Sequence, residues 1–210
     1  MTIAEAVSDK LLQINAIKLS PQKPFTWASG LKSPIYCDNR IVLSHPEIRS
    51  FVIEQFAQLS KEMPVFDAVA GVATAGIPHG ALLADRLKLP FIYVRSKPKA
   101  HGRQNQIEGK LEAGQRVLVI EDLISTGSSC LQAVDCLREA KAEVAAVLAI
   151  FTYGFDKARM AFEEANCQMA TLSNYEALIQ QATAQSYISP DHRSTLQAWR
   201  LDPKAWSEQH

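Results

Sequence analysis

An α/β fold, with a mostly parallel central sheet flanked by helices and a small N-terminal hood, is what this sequence predicts. Three observations lead there. From Asp67 onward, short apolar runs alternate with helical apolar spacing, the pattern of right-handed βαβ units. Residues 116–129 read Arg-Val-Leu-Val-Ile-Glu-Asp-Leu-Ile-Ser-Thr-Gly-Ser-Ser, a buried strand running into two acids and a hydroxyl-rich turn. The first 45 residues break the alternation, with one amphipathic run and then a segment rich in turn formers and aromatics.

The elements follow in order. Ile3, Val7, Leu11, Ile14 and Ile17 keep helical spacing and predict a helix over 2–18. Residues 20–39 predict irregular strands or loop. Ile48, Phe51, Val52, Phe56 and Leu59 predict a helix over 46–63, capped by Ser44 or His45. Strands are expected at 67–72, 91–95, 117–121, 144–151 and 169–172, and helices at 77–87, 131–140 and 157–165. A polar loop spans about 96–115. A helix beginning near Tyr175 and the two tryptophans Trp199 and Trp206 read as peripheral. One domain, 1–210, is expected, with the helix and hood in 1–45, the α/β core in 65–175 and a mobile loop at 96–110.

Composition narrows the function. At 210 residues the chain can bury a sizeable core. Its 22 basic side chains balance 22 acidic ones, so no global charge recruits nucleic acid or an anionic membrane. The four cysteines, Cys37, Cys130, Cys136 and Cys167, have no CxxC spacing. With acids and no apolar core segment near the N-terminus, they read as reduced thiols in a cytoplasmic protein. No window approaches the roughly 18 apolar residues of a membrane span.

In any open α/β sheet, ligands sit outside the carboxyl ends of the strands, where three loops are expected. The first chemical feature is the loop after Val117–Ile120. Glu121 and Asp122 lie at the strand end, and Ser125, Thr126, Gly127, Ser128 and Ser129 precede a helix. Backbone N–H groups and the helix dipole favour an anion there. Hydroxyls before a helix are more often only caps; the ordered combination of strand, acids and turn is more specific. It is not a P-loop, because no Gly-Lys-Ser/Thr follows.

The second feature is an acid-free window between Asp85 and Glu108 that holds Arg86, Lys88, Arg95, Lys97, Lys99 and Arg103, with His101. From Arg95 to Arg103 every second residue is cationic or His, so an extended arm would present them on one side. This suits a polyanion such as pyrophosphate; a solvated basic loop and a contact to RNA phosphates are the other readings. The third is the small-residue turn Gly71-Val72-Ala73-Thr74-Ala75-Gly76-Ile77-Pro78, where backbone can approach a ligand closely. Upstream, residues 25–40 (Phe-Thr-Trp-Ala-Ser-Gly-Leu-Lys-Ser-Pro-Ile-Tyr-Cys-Asp-Asn-Arg) look like a hood against which a flat ring could lie, at Tyr36 or nearby backbone.

The Glu-Asp-x-x-Ser-Thr-Gly-x-Ser loop resembles the signature of the type I phosphoribosyltransferases, which use phosphoribosyl pyrophosphate (PRPP). With the hood (Phe-Thr-x-x-Ser-Gly-x-Lys-Ser-Pro), the Gly-x-Ala-x-x-Gly-Ile-Pro turn and the Arg-x-x-x-Lys-x-His-Gly arm, the likeness over residues 5–180 is to the orotate phosphoribosyltransferase family. The resemblance implies the type I fold and transfer of phosphoribose from PRPP to N1 of orotate, giving orotidine 5′-phosphate in pyrimidine biosynthesis. It implies that Arg95, Lys99 and His101 contact pyrophosphate, with Thr74 and Ala75 cradling it. Glu121 and Asp122 face the ribose hydroxyls, and Leu123, Ile124, Ser125, Thr126, Gly127, Ser128 and Ser129 hold the 5′-phosphate. Ser125, Tyr36, Lys32 and Arg40 are the candidates for orotate. It implies Mg²⁺ held mainly through PRPP and water, and a homodimer whose mobile loop closes over the neighbouring site.

Three departures stand out. Some family members have lysine at the position of Ala28, and a second lysine where this chain has Ser96. Some also carry an arginine for the orotate carboxylate after the strand ending near Phe151, where this chain reads Thr152-Tyr153-Gly154. Lys97, Lys32 and Arg40 are the candidate substitutes. The rival functions are a phosphoribosyltransferase for another base and a PRPP-sensing regulator that binds nucleic acid. Against the regulator, the chain has neither a recognisable DNA-binding module nor a global basic excess.

Overall fold

The structure is a computed structural model and describes residues 1–27, 29–97 and 106–210. Helix α1 (Ile3–Gln13) opens on a capping box, in which Thr2 N donates to Glu5 at 2.7 Å and Glu5 N to the Thr2 hydroxyl at 3.2 Å. It ends four residues before the expected Ile17. Asn15 adopts φ +57°, a left-handed conformation that Asn tolerates and that breaks the helix. Ile17 therefore belongs to β1 (Ile17–Leu19), which pairs antiparallel with β4 (Ile35–Cys37). Between them β2 (Phe25–Thr26) and β3 (Lys32–Ser33) form a two-stranded ribbon. A short 3₁₀ turn, Asn39–Ser44, closes the hood. Helix α2 (Pro46–Leu59) follows, with Pro46 in its first turn. His45 precedes it without a side-chain cap bond, and residues 60–62 continue as a 3₁₀ turn.

The main sheet then assembles from β5 (Ala68–Val72), α3 (Gly76–Leu87), β6 (Phe91–Val94), β7 (Ile107–Glu108), β8 (Arg116–Ile124), α4 (Ser128–Glu139), β9 (Glu143–Thr152), α5 (Asp156–Glu164) and β10 (Met169–Asn174). Strand order is β10-β9-β8-β5-β6-β7. Every pairing is parallel except the β6–β7 edge. The carboxyl ends of β5, β6, β8 and β9 consequently share one rim, where the topology puts a ligand. Two apolar layers cover the sheet, one built with α1, α2 and α3, the other with α4 and α5.

Two expectations in the core are corrected. Strand β7 lies in what the sequence presents as continuous loop; an Ile-Glu pair is too short to show a period of two. Its approach is tied down, because Arg95 N donates to Gln106 O at 2.8 Å and the Gln106 amide to Arg95 O at 3.0 Å. Strand β8 runs past the acids to Ile124, since β9 pairs with it residue for residue through Leu123 and Ile124. Glu121 and Asp122 thus sit on a strand held by neighbours on one side, not on a free loop.

The C-terminal helices α6 (Tyr175–Ala184), α7 (Arg193–Leu201) and α8 (Pro203–Glu208) are not peripheral. Trp199 is fully buried and packs edge-on to Trp27, Tyr153 and Phe155 at centroid distances of 5.5–5.8 Å. Such a side chain is worth about 3–5 kcal/mol on truncation. It nails the C-terminal helices to the hood and to the end of β9. The isolated tryptophans of the sequence gave no hint of this, because the partners lie far from Trp199 in the chain.

Candidate functional site

The rim is built by close approach of backbone. Gly76, the first residue of α3, lies against the Ile120 carbonyl and 3.3 Å, measured from where a Cβ would stand, from Glu121 Cα. Any side chain there would push α3 off β8. The turn before it, Ala73 to Ala75, is held by Ala73 N donating to Val94 O at 2.8 Å, and the Ala73–Thr74 peptide is cis. Gly127 takes φ +81° and turns the chain from β8 into α4. The Thr126 and Ser128 hydroxyls flank it 3.1 Å apart, and the first N–H groups of α4 stand open toward the rim.

Three loops converge. A gap of about 30 Å³ is walled by Ala73 from the first loop, Arg95 and Ser96 from the second, and Ser129 from the third. The Arg95 guanidinium, 3.6 Å from Glu108, stands at its edge. Beside this gap the two acids are crowded. The Glu121 carboxylate accepts from Asp122 N at 3.0 Å. Burial, and then the charge of Asp122, push the Glu121 carboxyl well above the usual carboxylate range. Asp122 is also raised by burial, with its bond to Glu121 and the charge of Arg40 pulling the other way. An apo site that strains to keep two negative charges is one prepared for hydroxyl donors or a cation.

The hood closes the other side. The Asn39 side chain, fully buried, donates to the Asp122 carbonyl at 2.7 Å. Trp27 stacks on Tyr153 at 5.6 Å and donates its indole N–H to Ile35 O at 3.0 Å. Between hood and core lies a cavity of about 440 Å³ lined by Trp27, Tyr36, Cys37, Leu123, Ser125 and Tyr153. It is mostly apolar, flat-walled and meets the phosphate-type loop at Ser125, which suits a planar heteroaromatic ring.

A family model for the phosphoribosyl transferase domain matches residues 39–180. The chain is 52% identical over 209 residues to the orotate phosphoribosyltransferase of Listeria innocua, covering 99% of this chain and 100% of that one. The chain belongs to the orotate phosphoribosyltransferase family. The solved orotate phosphoribosyltransferase of Aeropyrum pernix has the same fold, with TM-score 0.75 and 26% identity over 87% of this chain and 99% of its own. UMP synthase of Leishmania donovani gives TM-score 0.77 and 25% identity over 93% of this chain, which spans 42% of that longer protein.

Against the orotate phosphoribosyltransferase pattern, the expected residues divide into four groups. Thr74, Ala75, Arg95, Glu121 and Asp122, with Leu123 to Ser129, are gathered on the one rim. Tyr36 joins Ser125 in the hood cavity. Arg40 and Lys32 turn elsewhere: Arg40 forms a two-pronged pair with Asp38 at 2.6 and 2.9 Å, and the Lys32 ammonium donates to the Thr26 hydroxyl at 3.1 Å. Lys99, His101 and Ala28 lie outside the described residues. Among those described, no cluster of three or more His, Cys, Asp or Glu side chains is arranged to hold a metal, and no helix is long and apolar enough to cross a membrane.

Sequence reasoning missed Asn39, Trp27 and Tyr153. Asn39 lies at the end of the hood segment 25–40, and an Asn at that junction was the available signal. The Trp27–Tyr153 stack joins residues far apart in the chain and left none.

Proposed function

We infer that this chain transfers the 5-phosphoribosyl group of PRPP to N1 of orotate, releasing pyrophosphate and forming orotidine 5′-phosphate. The observation that carries the reading is a ring-sized aromatic cavity opening at Ser125 onto the acid-and-hydroxyl rim, in a chain that matches orotate phosphoribosyltransferases from end to end. Orotate is anionic and readily loses its N1 proton, so the enzyme needs no nucleophile of its own. C1′ of PRPP parts from pyrophosphate through an oxocarbenium-like transition state while N1 attacks the opposite face.

The chain then has three tasks. The α4 N-terminus with Ser125 to Ser129 anchors the 5′-phosphate, so remote binding energy fixes C1′ against N1. Glu121 and Asp122 accept from the ribose hydroxyls, which relieves their mutual repulsion. Arg95, Lys99 and His101, with the Thr74–Ala75 turn, stabilise the charge growing on the leaving pyrophosphate. The donor set fits Mg²⁺ carried in on PRPP, with Glu121 and Asp122 as acids on the same rim; bound there, it would neutralise pyrophosphate charge. The part of the expected 96–110 arm that lies between the bonded pair Arg95 and Gln106, with 98–105 outside the described residues, closes over the site of a partner copy in a homodimer and excludes water that would hydrolyse PRPP. The protein works in the cytoplasm, in keeping with its four unpaired cysteines.

The test follows loss of orotate absorbance on mixing protein, orotate, PRPP and Mg²⁺, with adenine, hypoxanthine and uracil run in parallel by product chromatography. Turnover of orotate alone is expected. Turnover of another base in its place overturns the orotate assignment and keeps the PRPP site.

A further inference from the structure

Next to the hood cavity, and sharing Trp27 and Ser125 with it, lies a second cavity of about 410 Å³. Its walls include Thr126, Phe155 and, from the C-terminal helices, Arg200 and Lys204. Arg200 sits in the last turn of α7, where a cation complements the helix dipole. The dipole does not explain where the side chain goes. Arg200 is half-buried, and its Nη1 donates to the Gly154 carbonyl at 3.3 Å, just past the end of β9. That long bond uses one N–H of five, and Arg200 pairs with no carboxylate among the described residues. The acids on the same wall are engaged: Asp156 lies 3.5 Å from Arg159, and Asp202 accepts from Ala205 N at 2.9 Å.

We propose that Arg200 binds the carboxylate of orotate and so selects a carboxylated pyrimidine over uracil. The inference rests on the orotate reading above. The carboxylate is carried on the ring carbon next to N1, so it must lie within a few ångströms of the reacting ribose carbon. Ser125, at the head of the expected 5′-phosphate loop, borders both cavities, so a ring seated against it in the first has an edge at the mouth of the second. A planar guanidinium with free parallel N–H groups matches a carboxylate bidentately. Lys157 and Lys204 line the same cavity but are exposed, and a lysine offers only a point charge. Arg40 is already occupied by Asp38 and Lys32 faces Thr26. The tertiary structure thus supplies from a C-terminal helix the cation that residues 152–154 lack.

The experiment compares orotidine 5′-phosphate with uridine 5′-phosphate, which differ only in the carboxylate. Dissociation constants for both are measured by titration calorimetry on the wild type, Arg200→Ala and Arg200→Lys, with KM for orotate and PRPP alongside. Arg200→Ala should lower the preference for orotidine 5′-phosphate by roughly tenfold or more, the size of lost charge-assisted bonds. Its affinity for uridine 5′-phosphate and its KM for PRPP should stay near wild type, and Arg200→Lys should fall between. An unchanged preference in Arg200→Ala, or equal loss of both nucleotides, overturns the proposal while the orotate activity of the wild type still stands. A wild type that uses no orotate removes both readings at once.

Discussion

Asn39 donates its side-chain amide to the main-chain carbonyl of Asp122 at 2.7 Å, joining the hood to the strand that carries Glu121 and Asp122. Asn39 itself is buried, and it lies 83 residues from Asp122 in sequence. It ties the hood side of the aromatic cavity to the strand that leads into the Ser125–Ser129 turn, and under the proposed function those two parts hold the two reacting molecules.

Asn39→Ala should therefore disturb both substrates together. Leaving the Asp122 carbonyl buried without its donor costs about 1–3 kcal/mol, read as a lower midpoint in urea unfolding. In kinetics we expect kcat/KM for orotate and for PRPP to fall by similar factors, roughly tenfold. Loss confined to stability, with both kinetic constants intact, would show that the bond holds the fold but not the alignment.

Glu121 should trade stability for binding. Its folded pKa is raised, mainly by burial and then by Asp122. A free Glu ionises near pH 4.3, so the unfolded chain releases its proton first as pH rises. Stability is full below that pH and is lost progressively above it, until folded Glu121 ionises as well. Glu121→Gln keeps the acceptor for Asp122 N and removes this loss. The substrate-free variant should melt higher than wild type at pH 8, with the gap closing by pH 4, while KM for PRPP rises roughly tenfold. A variant less stable at every pH would refute the account.

Lys99 carries the prediction on chemistry. Under the proposed function it is a donor to the leaving pyrophosphate, and removing one donor to developing oxyanion charge typically costs about 10²-fold or more in rate. Lys99→Ala should lower kcat by that factor with orotate binding unchanged. A kcat near wild type would end the clamp assignment.

His79, on α3 behind the pyrophosphate-side turn, is wholly buried, and neither ring nitrogen has a partner among the described residues. Burial lowers its pKa to about 4. A free His titrates near 6.5, so below that pH the unfolded chain takes up a proton that the folded chain refuses. Stability present above pH 6.5 should drain away toward pH 4, by on the order of 3 kcal/mol. His79→Leu should flatten that part of the curve, compared by urea midpoints at pH 7 and pH 5. Parallel slopes for the two proteins would show that His79 is not the group responsible.

The α/β alternation was legible because each element announces itself within a few residues. The run Val117–Ile120 is apolar enough to be a central strand whatever surrounds it, and the Ser-Thr-Gly turn after Ile124 needs a positive φ that only its glycine meets easily. The boundaries were less legible, since neighbours decide them. Asn15 ended α1 through its own backbone conformation, β8 was lengthened by pairing with β9, and β7 exists because Val94 and Tyr93 offer it an edge.

The sequence by itself determined the fold class, the anion-binding turn, the acidic pair and the family to which they belong. These are local patterns, in which the chemistry and the chain order coincide. Only the tertiary structure decided that Asn39 holds Asp122, that Trp27 stacks on Tyr153, that Trp199 is a core residue, and that Arg200 reaches the end of β9 while Arg40 turns to Asp38. Each of those contacts, Arg40 apart, joins segments far apart in sequence, and no periodicity records a partner chosen by packing.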